Sequence, residues 1–184
     1  MQIDRFDISG PVLFTPRRFV DERGYFAETF RQSVFVDAIG EVVQFVQDNQ
    51  SLSERKGTIR GLHYQAPPHA QGKLVRCTQG AIIDVAVDIR SGSTTYGQHV
   101  RVQLSAGNGA QLWVPPGFLH GFATLTDHCL VQYKCTAYYD ADCDGGVAWN
   151  DPDLDIDWGL SGTDPAISTK DAAAPAFGAF KTPF

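Results

Sequence analysis

The feature that most limits how this chain can fold is the spacing of its apolar residues. From Ile59 to Tyr139 they recur mainly with a period of two, in short runs broken repeatedly by glycine and proline. A period of two is that of a strand with one face toward the interior. Strands are therefore predicted at Ile59 to Gln65, Lys73 to Gln79, Ala81 to Arg90, Gln98 to Leu104, Ala110 to Val114 and Cys129 to Tyr139. In the first half only Gln32 to Ile39 has helical spacing, with Ser33 as its expected cap and Gly40 as its stop. Many short strands with so little helix predict an all-β protein, an antiparallel jelly-roll sandwich or barrel. No repeat or linker divides the 184 residues, so one domain spanning 1–184 is expected.

The flanks are more irregular. Val12-Leu13-Phe14 and Tyr25-Phe26 read as two strands separated by the charged turn Asp21-Glu22-Arg23-Gly24, which is either solvated or part of a ligand site. Val43 to Gln50 alternates like a strand and ends in amides and a carboxylate. Gln47 and Asn49 share its polar face, suited to an edge or to a pocket. Beyond Asp140 the chain is dense in Asp, Gly and Pro, and reads as ordered loops with short helical turns. Trp149, Leu154, Ile156 and Trp158 supply apolar surface to hold that segment on the sheets.

A formal net charge of −6 argues against a general nucleic-acid binder, which needs a surplus of Lys and Arg on one face. Nowhere do eighteen apolar residues run together, and the start carries no basic-then-apolar leader, so no membrane association and a cytoplasmic location are expected. Cys77, Cys129, Cys135 and Cys143 form no CxxC pair and read as reduced, structural thiols.

Chemistry concentrates between Gly57 and Gly80, where His63 and Lys73 lie in two strand-like runs joined through Pro67-Pro68. Read as a hairpin, the two strands point both side chains into one cavity. Arg60 falls on the opposite face from His63 in a regular strand. It would act at a rim, across a subunit boundary or through a distortion at Gly61. Asp84 lies mid-strand and must face water or find a cation such as Lys73 or a histidine. The turn Pro115-Pro116-Gly117 delivers His120 to a strand end, where a packed ring and a site role are both open. Tyr133 faces inward, as a core tyrosine or as a reactive phenol.

His63 and the PPGFLH turn resemble the cupin superfamily, but Gln65 stands where the second histidine of the usual metal set would be, and no glutamate follows. No metal is therefore expected. More closely, DERGYFAE, QDNQS, GTIRGLHYQ, GKLVRCTQG, WVPPGFLHGF, YKCTAYY, WNDP and STKD resemble, in order and over nearly the whole chain, the dTDP-4-dehydrorhamnose 3,5-epimerase family. That resemblance implies a homodimer exchanging N-terminal strands and a dTDP-4-keto-6-deoxy sugar as substrate, epimerised without a cofactor. It implies His63 as base, Asp171 as its partner, Lys73 as the cation for the enolate and Tyr133 as acid. It assigns binding of the nucleotide sugar to Arg23, Glu28, Gln47, Asp48, Asn49, Arg60, His120, Asp144 and Lys170, with Tyr139 able to stack on thymine. Asp144-Gly145 departs from the family's usual glutamate and bulkier residue, and the tail DAAAPAFGAF from its more charged ending. Rival readings are a C3-only epimerase, a metal-dependent cupin and a nucleotide-sugar binding module.

Overall fold

A computed structural model describes residues 1–184. Its strands are β1 (Gln2–Arg5), β2 (Val12–Thr15), β3 (Arg18–Asp21), β4 (Gly24–Ala27), β5 (Gln47–Ser53), β6 (Ile59–Gln65) and β7 (Lys73–Gln79). They continue with β8 (Ala81–Asp88), β9 (His99–Ser105), β10 (Gln111–Val114), β11 (Phe118–Thr124), β12 (Cys129–Cys135) and β13 (Asp144–Gly146). Helix α1 spans Gln32–Ile39, and the short α2 spans Thr169–Ala172.

Two antiparallel sheets form the jelly roll, one ordered β1-β2-β10-β7-β12-β5 and the other β13-β6-β11-β8-β9. Between them pack Val75, Cys77, Leu112 and Val131 from the first sheet against Ile82, Ala86, Leu104 and Phe122 from the second. The alternation of β8 is buried on both sides. Its Ile83, Val85 and Val87 lie with Leu62 and Leu119 under Val147, Leu154 and Trp158 of the C-terminal segment. That segment thus forms a second core on the outer face, as its tryptophans suggested. Each such side chain taken from water contributes about 1.5–3 kcal/mol, enough to hold loops with little regular structure.

Several expectations are corrected. β6 and β7 are not a hairpin, because they belong to opposite sheets and the Pro67-Pro68 segment crosses from one to the other. Residues 1–31 hold four strands, and the charged turn joins β3 to β4 rather than β2 to β4. The strand expected from Val43 begins at Gln47, because Val43 and Phe45 pack on the cluster of Phe35 and Trp113 beneath α1. Arg31, not Ser33, is the N-cap of α1 and its side chain makes no cap bond, whereas Gly40 at φ 79° closes the helix by donating to Val36 O. β12 ends at Cys135 and β8 at Asp88, leaving Tyr139 and Arg90 in loops. All four cysteines are free, and three are buried. No helix is long and apolar enough to cross a membrane.

Candidate active site

A cavity of about 480 Å³ opens between the sheets, lined by Arg60, His63, Lys73, His120, Tyr133, Lys170 and Asp171 among others. Its geometry begins with an irregularity in β6. His63 pairs with His120 and Arg60 with Phe122, so the three steps along β6 oppose two along β11. The extra residue is a bulge that reverses the alternation and lets Arg60 line the same cavity as His63. Gly61, at φ +132°, lies in that bulge, and a Cβ there would stand 2.6 Å from Gly121 Cα and 2.9 Å from His120 O. Arg60 is steadied by Nε donating to Ser53 Oγ (3.1 Å) and Nη2 to Leu52 O (3.0 Å).

His63 Nε2 lies 2.6 Å from Asp171 Oδ1. A carboxylate only accepts, so Nε2 carries the proton and Nδ1 keeps the lone pair. Asp171 is buried and fixed at both ends. Its other oxygen accepts from Gly61 N–H (3.3 Å), and its own N–H donates to Ser168 Oγ (3.1 Å), the N-cap of α2. Burial pushes the His63 pKa below that of free histidine, and the Asp171 hydrogen bond and charge pull it partly back. The imidazole is thereby neutral at neutral pH and ready to take a proton.

The facing sheet supplies the other groups. Lys73 opens β7, with Nζ 5.9 Å from the Tyr133 ring centroid. Burial lowers its pKa, opposed by Cys135, Asp144 and Asp84. Burial raises the Tyr133 pKa, so the phenol keeps its proton. His120 Nε2 lies 2.8 Å from Asp84 Oδ1, and both side chains are buried. Of the alternatives open for Asp84, the structure selects the histidine partner.

Gln47, Asn49, Tyr139 and Asp144 do not line the cavity, but form a linked series of polar contacts that reaches it at Lys170. Gln47 Nε2 donates to Asn49 Oδ1 (3.0 Å), and Tyr139 N–H donates to Gln47 Oε1 (3.0 Å). The Tyr139 hydroxyl donates to Asp144 Oδ2 (3.4 Å), which also pairs closely with Lys170. Asp48 points the other way, toward Lys134 at 3.1 Å, and with Asn49 and Tyr133 borders a neighbouring hollow of about 250 Å³. Arg23 and Glu28 are not brought to the cavity by their own chain. Arg23, 84% exposed, pairs with Asp21 in the β3–β4 turn, and Glu28 pairs with Arg31. Ser51, Phe122 and Ile167 also line the cavity and were not singled out from sequence. Ser168 was not singled out as a cap either, although a serine three residues before an acidic side chain is the signal that marks a helix start.

An imidazole–carboxylate pair on one wall, with a phenol and an ammonium on the other, can remove a proton from one side of a carbon and return one from the opposite side. A jelly roll with this interior is an acid–base enzyme of the isomerase type. The family model described as dTDP-4-dehydrorhamnose 3,5-epimerase matches residues 5–179. The chain belongs to that family. A dTDP-4-dehydrorhamnose 3,5-epimerase of Sinorhizobium fredii is 51% identical over 176 residues, covering 96% of this chain and 89% of the relative. A solved epimerase of Legionella pneumophila, in complex with dTDP-4-keto-L-rhamnose, aligns with TM-score 0.92 and 43% identity over 98% of this chain and 94% of its own. A 3'-monoepimerase of Streptomyces bikiniensis in complex with dTDP-quinovose aligns at TM-score 0.88 and 33% identity, covering 94% and 86% respectively.

Proposed function

We propose that this chain epimerises a dTDP-4-keto-6-deoxy sugar at C3 and C5 by proton transfer alone. The observation that carries this reading is the His63–Asp171 pair facing Lys73 and Tyr133 across one cavity. The C4 ketone acidifies the C–H bonds on both sides of it. His63 Nδ1 takes the proton, the C–H electron pair moves into the ring bond, and the ketone oxygen becomes an enolate. The Lys73 ammonium stabilises that oxygen. As the enolate collapses to the ketone, the Tyr133 hydroxyl delivers a proton to the opposite face of the same carbon. Exchange with water then returns His63 to the neutral imidazole and Tyr133 to the phenol, and the same two transfers at the second carbon complete the product.

Arg60 and Lys170 suit the diphosphate, Arg60 through the planar fork of its guanidinium. The rim from Gln47 to Asp144 suits the nucleoside, with Asp48 at its margin and Tyr139 placed to stack on thymine. His120 presents its remaining nitrogen to the bound sugar nucleotide.

The protein acts as a homodimer in this reading, with Arg23 and Glu28 delivered to the site of a second copy. The β3–β4 ribbon supports it. Phe19 (53% exposed), Val20 (79%), Tyr25 (57%) and Phe26 (70%) are uncovered there, and a lone two-stranded ribbon is only marginally stable in water. A cytoplasmic location accords with the reduced cysteines.

The test is incubation with dTDP-4-keto-6-deoxyglucose in heavy water, with deuterium located by NMR. Enzyme-dependent label at C3 and C5 supports the double epimerase. Label at C3 alone would move the assignment to the reaction named for the Streptomyces relative, which shares this fold. Label at neither carbon would leave a binding module.

A further inference from the structure

β5 pairs with β12 without a break in register, so its side chains alternate strictly. Asp48, Gln50 and Leu52 are exposed on the outer face, and Gln47, Asn49, Ser51 and Ser53 face the space between the sheets. Three of these four inward side chains are engaged: Gln47 with Asn49 and with Tyr139 N–H, Asn49 also with Cys135 Sγ, and Ser53 with Arg60 Nε. Ser51 is the exception. It lines the cavity, yet its Oγ is shielded from solvent and has no hydrogen-bond partner. A buried hydroxyl left unmatched costs stability, and an apolar side chain of the same size would fill the position without that cost. Packing therefore does not account for a serine here, whereas a ligand that supplies the missing partner does. Rotation about χ1 breaks no hydrogen bond, so the hydroxyl is free to turn from its shielded position to the cavity.

The register says which part of the ligand Ser51 meets. Ser51 stands opposite Val131, with the Asn49–Tyr133 pair on one side of it in the ladder and Ser53, which holds Arg60, on the other. The serine thus lies between the phenol and the guanidinium. A sugar nucleotide with its ketone-flanking carbons at Tyr133 and its diphosphate at Arg60 puts C2 between them, because C2 joins C3 to the anomeric carbon that bears the diphosphate. We propose that Ser51 is a specificity-determining residue: its hydroxyl pairs with the C2 hydroxyl of the sugar and so distinguishes a 2-hydroxy from a 2-deoxy substrate. The proposal rests on the reaction above and on Arg60 binding the diphosphate.

The test gives native protein and Ser51→Ala each dTDP-4-keto-6-deoxyglucose and its 2-deoxy counterpart, with kcat/KM read from deuterium uptake at C3. The native protein should favour the 2-hydroxy sugar by about 2- to 10-fold, the scale of one neutral hydrogen bond. Ser51→Ala should make the 2-deoxy sugar the equal or better substrate, because a hydroxyl carried into the cavity without a partner costs about 5- to 100-fold. The substitution removes an unmatched hydroxyl, so the thermal midpoint of Ser51→Ala should equal or exceed the native one. A variant that keeps the native preference, or a native protein indifferent to the 2-hydroxyl, overturns the proposal. A lowered midpoint would make Ser51 a structural residue and overturn it as well. Failure of the underlying reaction would look different: native protein would label neither sugar at C3, and the proposal would fall with it.

Discussion

Asp171→Asn takes one charge out of the site and leaves its shape. Asp171 is 4% exposed at the side chain, and its Oδ1 stands 2.6 Å from His63 Nε2. The carboxylate does two things for the imidazole. It fixes the proton on Nε2, so the lone pair is on Nδ1, and it opposes the fall in basicity that burial, Lys73 and Lys170 impose. An asparagine can present an NH2 instead, which favours the wrong tautomer. Converting an orienting aspartate to asparagine behind a catalytic imidazole is known to cost about 10⁴-fold, and a positioned base as a whole contributes about 10²–10⁴-fold. Asp171→Asn should therefore lower kcat by about 10²–10⁴-fold, or roughly 3–5 kcal/mol of transition-state stabilisation at 1.36 kcal/mol per tenfold. The sign of the pH effect is also determined. The native acid limb should lie below the ordinary histidine value of 6.5, and the variant limb lower still, because every remaining influence on His63 acts downward. Deuterium uptake at C3, followed by NMR across the acid range, reads both quantities. Since the two residues act as a unit, His63→Asn/Asp171→Asn should be no slower than His63→Asn alone. Full activity in Asp171→Asn, or an acid limb displaced upward, would refute the pairing.

Tyr133→Phe should keep deuterium exchange at C3, because the base is untouched, while conversion to the epimer falls by about 10²–10⁴-fold; NMR integration of label against product separates the two. Gly61→Ala forces a side chain into a left-handed backbone site and onto Gly121 Cα. It should cost about 3 kcal/mol or more, lowering the thermal midpoint by roughly 6–12 °C, as read by calorimetry. Arg23→Ala should raise KM about 10- to 100-fold with kcat retained, the scale of one charge-assisted phosphate contact. Mixing its protomers with those of the inactive His63→Ala should recreate sites of native KM, read as a rise in rate at substrate concentrations well below the KM of Arg23→Ala, and no such rise would argue against exchange of the β3–β4 ribbon.

Much of the fold was legible because local pattern and tertiary demand agree. Ile59–Gln65, Lys73–Gln79 and Gln32–Ile39 carry the period of their elements and end at glycine, proline or an amide, and the structure gives them the bounds read from sequence. Where the reading failed, a distant surface decided. Val43 and Phe45 look like strand residues but serve the aromatic cluster under α1, with Phe45 and Phe35 rings 5.2 Å apart. β3 was overlooked because its Phe19 and Val20 remain exposed, so no alternation marks an inward face. Site residues on one strand were visible as a group, whereas their facing was not. A regular strand would turn Arg60 away from His63, and of the alternatives open for it the structure shows the distortion at Gly61, where one extra residue brings it back. The sheet assignment of β7 was hidden for a similar reason, because a short proline-bearing connection can close a hairpin or cross a sandwich.

The His63–Asp171 contact joins positions 108 apart in the chain. During synthesis the base is therefore made long before its partner, and all the strands of both sheets precede α2. A nascent or truncated chain ending before Asp171 holds the imidazole, the lysine and the phenol but has no group to set the tautomer of the base. On the proposed roles, full catalytic competence requires that the chain has closed on itself, and a product ending before Asp171 should lose at least as much activity as Asp171→Asn, about 10²–10⁴-fold.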